Sequence, residues 1–303
     1  MSLDADKVEY TLKYLGEDIE VPIEGYTLQG IRIKVKETNP VKFVYIFVHG
    51  LTATAAFNND FYPFISKIGG VIYSCDHVGH GRSPGERVSL SISQINDEIE
   101  SLIAIANEEY PNLPIILHGH SMGSLAVLSY AFRNKDIITQ KVKAIIAESS
   151  WISFSEFSNP TVLERIGLRI LNCIYDTYRI SSPSDLTEPN MSQKWKDIYY
   201  NSPYTYEFVT PKVIISAMDE MYYLHNNYED FNEKLPLLFI QGKTDRLVSF
   251  QENDEWIKKL INMYPNADIT YKMYDAPHCI LKSKARKEEI ENILDYINKI
   301  LLK

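Results

Sequence analysis

The stretch Pro114-Ile115-Ile116-Leu117-His118-Gly119-His120-Ser121-Met122-Gly123-Ser124-Leu125-Ala126-Val127-Leu128 decides the fold. Its first part is a short aliphatic run suited to a buried strand, and its last part, rich in Ala, Val and Leu, can form a helix. Between them the chain must turn from strand to helix with Ser121 at the apex. Such a turn strains the backbone at the serine and tolerates only small residues two positions to either side, which here are Gly119 and Gly123. The helix beginning after Ser121 aims its N-terminal amides and the positive end of its dipole at charge developing beside the serine. Ser121 is therefore the candidate nucleophile.

Working outward, VKFVYIFV (41–48), GGVIYSCD (69–76), VKAIIAES (142–149) and LPLLFIQG (235–242) are further short, β-branched runs bounded by turn residues, and they read as buried parallel strands. Helical patterns lie between them: Ile92, Ile95, Ile99, Leu102, Ile103 and Ala106 form one apolar face. DITYKMYD (268–275) reads as a last strand, and Ile290, Ile293, Leu294, Ile297 and Leu301 should dock a terminal helix on the sheet. Strand and helix in alternation predict an α/β fold with a mostly parallel, doubly wound sheet.

The alternation breaks between about residues 151 and 230, where Trp, Tyr, Pro and Ser become frequent. We expect three segments: 1–150 and 231–303 forming the α/β core, and 151–230 inserted as a mainly helical cap. Within the cap, Leu163, Ile166, Leu168, Ile170, Leu171, Ile174 and Tyr175 make a helix apolar on most of its circumference. Something apolar should cover it. Packing against the rest of the cap is the simplest expectation; an acyl-chain tunnel or transient membrane-surface contact are the others.

Composition excludes several classes. Apolar residues make up 45% and charged residues 23%, as in ordinary folded proteins. The 31 Lys and Arg against 40 Asp and Glu leave a formal charge of −9, which repels nucleic-acid phosphates, so no nucleic-acid partner is expected. The first residues show no basic patch leading into an apolar run, and no stretch approaches the ~20 apolar residues of a membrane helix. Cys75, Cys173 and Cys279 are odd in number and widely spaced, suggesting neither a disulfide framework nor a zinc site. A reducing cytoplasm fits these features.

A serine hydroxyl needs a neighbouring base. His278, in Asp275-Ala276-Pro277-His278 between the last strand and the terminal helix, is the candidate; for His49, His77, His80, His118, His120 and His225 we expect structural or surface roles. The imidazole in turn requires a carboxylate on a loop after a late strand. Asp245, in Gly242-Lys243-Thr244-Asp245-Arg246-Leu247-Val248, fits, in the chain order Ser, Asp, His. Glu148, at the end of an earlier strand, is the rival acid. A tetrahedral oxyanion would need two backbone donors, expected at Met122 N–H and, from His49-Gly50-Leu51-Thr52, at Leu51 N–H.

Together, His49-Gly50, Asp76-His77-Val78-Gly79-His80-Gly81-Arg82-Ser83, Gly119 to Gly123, Gly242 to Val248 and Ala276-Pro277-His278 resemble the monoacylglycerol lipase and lysophospholipase group of α/β-hydrolases from about residue 20 onward. Asp76 to Ser83 is the most specific element, which we read as a glycine-rich turn supporting the site without doing chemistry. Ser124 stands where the group usually has a second glycine. The resemblance implies hydrolysis of a carboxylic ester whose acyl chain lies in an apolar channel under the cap, with a small lipid ester as the partner molecule and no metal or organic cofactor. Cys279, beside His278 in sequence, is expected to be an inert buried thiol; the alternative is sensitivity of the site to thiol reagents. Two other readings stay open. A peptidase or thioesterase could use the same scaffold, an aminopeptidase recruiting Glu156, Glu164, Asp176 or Asp185 to hold an amine. A non-catalytic binding module could retain the fold, although it would have no chemical need for serine, histidine and aspartate together.

Overall fold

The computed structural model describes residues 10–36, 39–181 and 191–303. Its frame is an eight-stranded sheet built from β1 (Glu17–Ile23), β2 (Tyr26–Ile33), β3 (Phe43–Val48), β4 (Gly70–Cys75), β5 (Ile115–His120), β6 (Ala144–Glu148), β9 (Leu237–Gly242) and β10 (Ile269–Tyr274). The spatial order is β1-β2-β4-β3-β5-β6-β9-β10. From β4 through β10 neighbours run parallel, whereas β2 is antiparallel to both β1 and β4. Strands β3, β4, β5, β6 and β9 are buried along their whole length, as their apolar runs require when helices cover both faces. The β1–β2 hairpin escapes a reading based on such runs because its residues alternate between buried and solvent-facing positions.

The helices α1 (Tyr62–Lys67), α2 (Ile92–Glu109), α3 (Met122–Arg133), α4 (Ile138–Lys141), α8 (Phe250–Met263) and α9 (Arg286–Leu301) accompany this sheet. Helix α2 buries Ile92, Ile95, Ile99, Leu102, Ile103 and Ala106, the predicted face, and starts with a capping box between Ser91 and Gln94. Helix α9 buries Ile290, Ile293 and Ile297, but Leu294 and Leu301 are only partly covered. Helix α3 is buried through most of its length because it carries the nucleophile turn beneath the centre of the sheet's C-terminal edge.

Between β6 and β9 the chain leaves the sheet to form α5 (Val162–Tyr175), α6 (Gln193–Tyr200) and α7 (Pro211–Asn226). The two-residue strands β7 (Ile180–Ser181) and β8 (Phe208–Val209) pair here, a small exception to the expected loss of strands. The expected packing of α5 against the rest of the cap is met only in part, through its contact with α7. No residue of α5 is buried; Leu163 is 81% exposed and Ile174 78%. Its inner face looks into a cavity, and its outer face, with Val162, Leu163 and Ile166, meets solvent. No helix among the described residues is long and apolar enough to cross a membrane.

Beside α6 lies a buried ionic cluster that sequence reading did not reveal, since Asp60 is over 200 residues from its two partners. Asp60 pairs with both Lys282 and Arg286, all three buried, and the Lys282 ammonium stands 4.6 Å from the ring centroid of Trp195. Two buried cations share this carboxylate, so deleting it leaves positive charge uncompensated in low dielectric. We expect Asp60→Ala to lower stability by about 3 to 5 kcal/mol. Urea unfolding measures it, and a change below about 1 kcal/mol would show that the pair is dispensable.

Candidate active site

The elbow forms as the spacing predicts. Ser121 lies between β5 and α3 with φ 56° and ψ −118°, a conformation costly for a residue with a Cβ. The glycines on either side are imposed by contact: a Cβ on Gly119 would stand 2.3 Å from Gly123 O, and one on Gly123 would stand 2.1 Å from Val48 O. Ser121 N–H donates to Glu148 O at 3.0 Å, tying the turn to β6. Helix α3 begins at Met122, whose N–H belongs to the first turn of the helix.

His278 and Asp245 meet as the chain order suggests. His278 Nδ1 lies 2.8 Å from Asp245 Oδ2, and both side chains are nearly inaccessible to solvent. Asp245 is itself held: Oδ1 accepts from Leu247 N at 2.9 Å and Val248 N at 3.1 Å, while Gln241 Nε2 donates to Oδ2 at 3.2 Å. With its oxygens already accepting from these donors, Asp245 accepts from His278 Nδ1 as well, which places the ring proton on Nδ1 and leaves Nε2 as the basic nitrogen. The backbone is fixed as well, since Ser149 Oγ donates to His278 O at 2.7 Å.

Glu148, the rival acid, is engaged elsewhere. His118 Nε2 lies 3.0 Å from its Oε2, and His118 Nδ1 hydrogen-bonds Tyr45. Burial opposes ionisation of Glu148, but His120, His118 and Lys282 outweigh it and hold its carboxyl below the ordinary value. The remaining histidines take structural places. His225 Nε2 lies 2.9 Å from Ile152 O, while His49, His77 and His80 cluster behind the loop after β3. His120 stacks on Phe57 at 5.1 Å and borders the same cavity as Ser121; burial pushes its pKa down to about 4, leaving it neutral. Burial likewise holds His80 neutral, at about 3.

The loop after β3 reaches the serine. A Cβ on Gly50 would lie 3.0 Å from Ser121 Cβ, and Leu51 lines the cavity beside it. Thr52, at φ 56°, is joined to α6 through Thr52 Oγ1 and Tyr199 OH, 2.7 Å apart. Asp76 to Ser83 is a support, as expected. Asp76 accepts from Ala55 N and Arg82 N, each at 2.8 Å, and Ser83 Oγ donates to Asp76 O at 2.6 Å.

Ser121 and His278 open on one cavity of about 1070 Å³. Its walls are largely apolar, with Trp151, Phe154, Leu168, Leu171, Trp195 and Phe208 among them. Lys196, Arg246 and Glu164 also border it. The Glu164 carboxylate accepts from Thr161 N and Thr161 Oγ1, each at 2.7 Å, so it caps its own helix. Leu168 and Leu171 belong to the apolar cap helix read from the sequence; Trp151, Phe154, Trp195 and Phe208 were not singled out, because the fold alone brings their segments together, and the frequent Trp and Tyr between 151 and 230 were the available signal. Cys75, His77 and Glu98 bring ligand-type atoms within 4.8 Å of one another, but the two ring nitrogens of His77 face Glu98 and His49 O, so protons knit this group together.

A family profile described as "Serine aminopeptidase, S33" (Hydrolase_4) matches residues 39–284, most of the chain. The chain belongs to this family. Within Hydrolase_4, it is 26% identical to the monoglyceride lipase of Rattus norvegicus over 259 residues, 84% of this chain and 80% of that one. It is 36% identical to the monoacylglycerol lipase of Mycolicibacterium smegmatis over 98 residues, a match spanning 32% of this chain and about a third (35%) of that relative. The solved structure of a soluble variant of the Saccharomyces cerevisiae monoglyceride lipase, in complex with a substrate analog, superposes with a TM-score of 0.81 at 18% identity, covering 96% of this chain and 98% of that one. The α/β-hydrolase fold expected from the resemblance is thus the fold found.

Proposed function

We propose that this chain is a serine hydrolase of carboxylic esters, with single-chain lipid esters such as monoacylglycerols and lysophospholipids as substrates. The observation that carries the reading is the placement of Ser121, on its strained turn, and His278, held by Asp245, on the wall of one largely apolar cavity. His278 Nε2 takes the Ser121 proton as Oγ attacks the ester carbonyl. The oxyanion is received by the N–H groups of Leu51 and Met122. Collapse of the tetrahedral intermediate breaks the ester C–O bond, and His278 returns the proton to the departing alcohol. Water then attacks the acyl-serine with the same base, releasing a fatty acid and restoring Ser121. Asp245 keeps accepting from His278 Nδ1 throughout and stabilises the imidazolium.

Residues 151–230 serve in this reading as the cap, its inner wall holding the acyl chain. The solvent-facing Val162, Leu163 and Ile166, 73%, 81% and 51% exposed, support transient contact with a lipid surface from which substrate enters. Three free thiols, Cys75, Cys173 and Cys279, go with a cytoplasmic setting. Among the described residues the aminopeptidase alternative finds no free acidic group at the cavity to hold an amine. Glu164 borders the cavity but caps α5; Glu156 and Asp176 are not among the cavity-lining residues, and Asp185 lies outside the described residues.

Turnover of dispersed monoacylglycerol, soluble p-nitrophenyl esters and aminoacyl p-nitroanilides tests the assignment. Esters should be cleaved and the anilides left intact; preference for the anilides would refute it. The cap contact has its own measurement. Each large apolar side chain withdrawn from a lipid surface should cost about 1 kcal/mol, less than full burial. Replacing Val162, Leu163 and Ile166 together by Ser should therefore weaken vesicle binding at least about tenfold while leaving soluble-ester turnover unchanged. Unaltered vesicle binding would remove the cap contact from the account.

A further inference from the structure

Behind the loop that carries Leu51 are three buried side chains that the proposed chemistry does not use: His49, His77 and Glu98. Their hydrogen bonds form a chain with one direction. His77 N–H donates to His49 Nε2 at 3.2 Å, so the His49 proton resides on Nδ1, which donates to Gly50 O at 2.8 Å. Ala53 N–H donates to the same carbonyl at 3.2 Å. His77 Nε2 lies 2.9 Å from His49 O and must donate to it. The other His77 nitrogen meets Glu98, whose remaining oxygen accepts from Val78 N at 3.1 Å. The imidazoles of His49 and His77 pack against each other with centroids 3.7 Å apart and planes inclined by 34°.

Two consecutive carbonyls, of His49 and Gly50, are thus held from the protein interior. In a trans peptide the N–H points opposite to the C=O of the same unit, and there is no cis peptide bond among the described residues. Anchoring Gly50 C=O inward therefore aims the N–H of Leu51 outward, toward the side where Gly50 faces Ser121. We propose that His77, held by Glu98, is a positioning residue for the oxyanion donor: by donating from Nε2 to His49 O and from its backbone to His49 Nε2, it fixes the plane of the Gly50–Leu51 peptide. The inference rests on the esterase reading above, in which Leu51 N–H receives the oxyanion.

Burial opposes a charge on His77, but Glu98 and the His49 carbonyl outweigh it and raise its pKa; His49, by contrast, is held neutral by burial and by the neighbouring imidazoles. The assignment nevertheless depends on a donor at one position rather than on charge, and side-chain geometry separates the two. Glutamine places an N–H where Nε2 of histidine stands; asparagine reaches only the Nδ1 position. In His77→Gln the donor to His49 O persists, and in His77→Asn it is lost.

A misplaced donor should cost part of what its removal costs, so kcat for a soluble ester should fall by roughly 10- to 100-fold in His77→Asn with KM within about twofold, and His77→Gln should recover most of the loss. A trifluoromethyl ketone, which adds to the serine to give an oxyanion, should lose affinity in step with kcat/KM, while a non-reacting ester analogue binds as before. Glu98→Gln keeps an acceptor for Val78 N and can donate to His77 Nδ1, so it should stay within a few-fold of the unaltered protein. Equal losses in His77→Asn and His77→Gln, or a Glu98→Gln loss as large as that of His77→Asn, would overturn the donor role. If the unaltered protein bound the ketone tightly and His77→Asn bound it equally well, this inference alone would fall. If the unaltered protein showed no affinity for the ketone, the esterase reading would fall and this inference with it.

Discussion

Ser121→Ala should lower kcat on soluble esters by about 10^4 to 10^6, and adding His278→Ala to it should cost little more. The magnitude follows from what is removed. Without Oγ no acyl-enzyme forms, and the remaining Leu51 and Met122 amides can only assist slow attack by water. The lack of additivity follows because His278 acts on the Ser121 proton; once the proton is gone, the base has nothing to do. Folding should be little affected, since the smaller side chain sits on a turn whose geometry is set by Gly119 and Gly123. Steady-state kinetics of the two single variants and the double variant measure it. Turnover within tenfold of the unaltered protein in Ser121→Ala would remove the serine from the mechanism.

Asp245→Asn comes second, with a loss of roughly 10^4 in kcat. The hydrogen bonds indicate why an isosteric change is so damaging. Oδ1 of Asp245 accepts two backbone N–H groups, from Leu247 and Val248, so the asparagine oxygen must remain there. Its amide nitrogen then faces His278 Nδ1 and donates to it, moving the ring proton to Nε2, the nitrogen that must be bare to accept from Ser121. Glu148→Gln is the control. Its carboxylate contacts His118, not His278, and its effect on kcat should be far smaller. A larger loss in Glu148→Gln than in Asp245→Asn would exchange the two acids.

How much of this was legible before the structure differs from element to element. The parallel strands were, because burial on both faces demands the uninterrupted apolar runs seen in Phe43–Val48 and Leu237–Gly242. Ser121, Asp245 and His278 stand out as candidates because each follows a strand's C-terminal end, where the topology gathers loops at one edge of the sheet. The β1–β2 hairpin was not legible, since Tyr26–Ile33 mixes Thr, Gln, Gly and Arg with its apolar positions. Helix α5 taught a different lesson. Its apolar circumference was read correctly, but a sequence does not say what lies opposite a side chain, and Leu163 faces solvent. The pocket walls and the Asp60, Lys282 and Arg286 cluster depend on contacts between distant segments, which no local pattern encodes. The part played by His77 and Glu98 was hidden for a related reason: Asp76 to Ser83 reads as a glycine turn until α2 brings Glu98 against it.

The central claim is that Ser121 is a nucleophile activated by His278. The most direct measurement is treatment of the purified protein with a fluorophosphonate probe, followed by mass spectrometry of its peptides. The account predicts one phosphonyl adduct, on Ser121, that disappears in His278→Ala although that variant remains folded. A folded protein that takes no label, or takes it at another residue, would contradict the account.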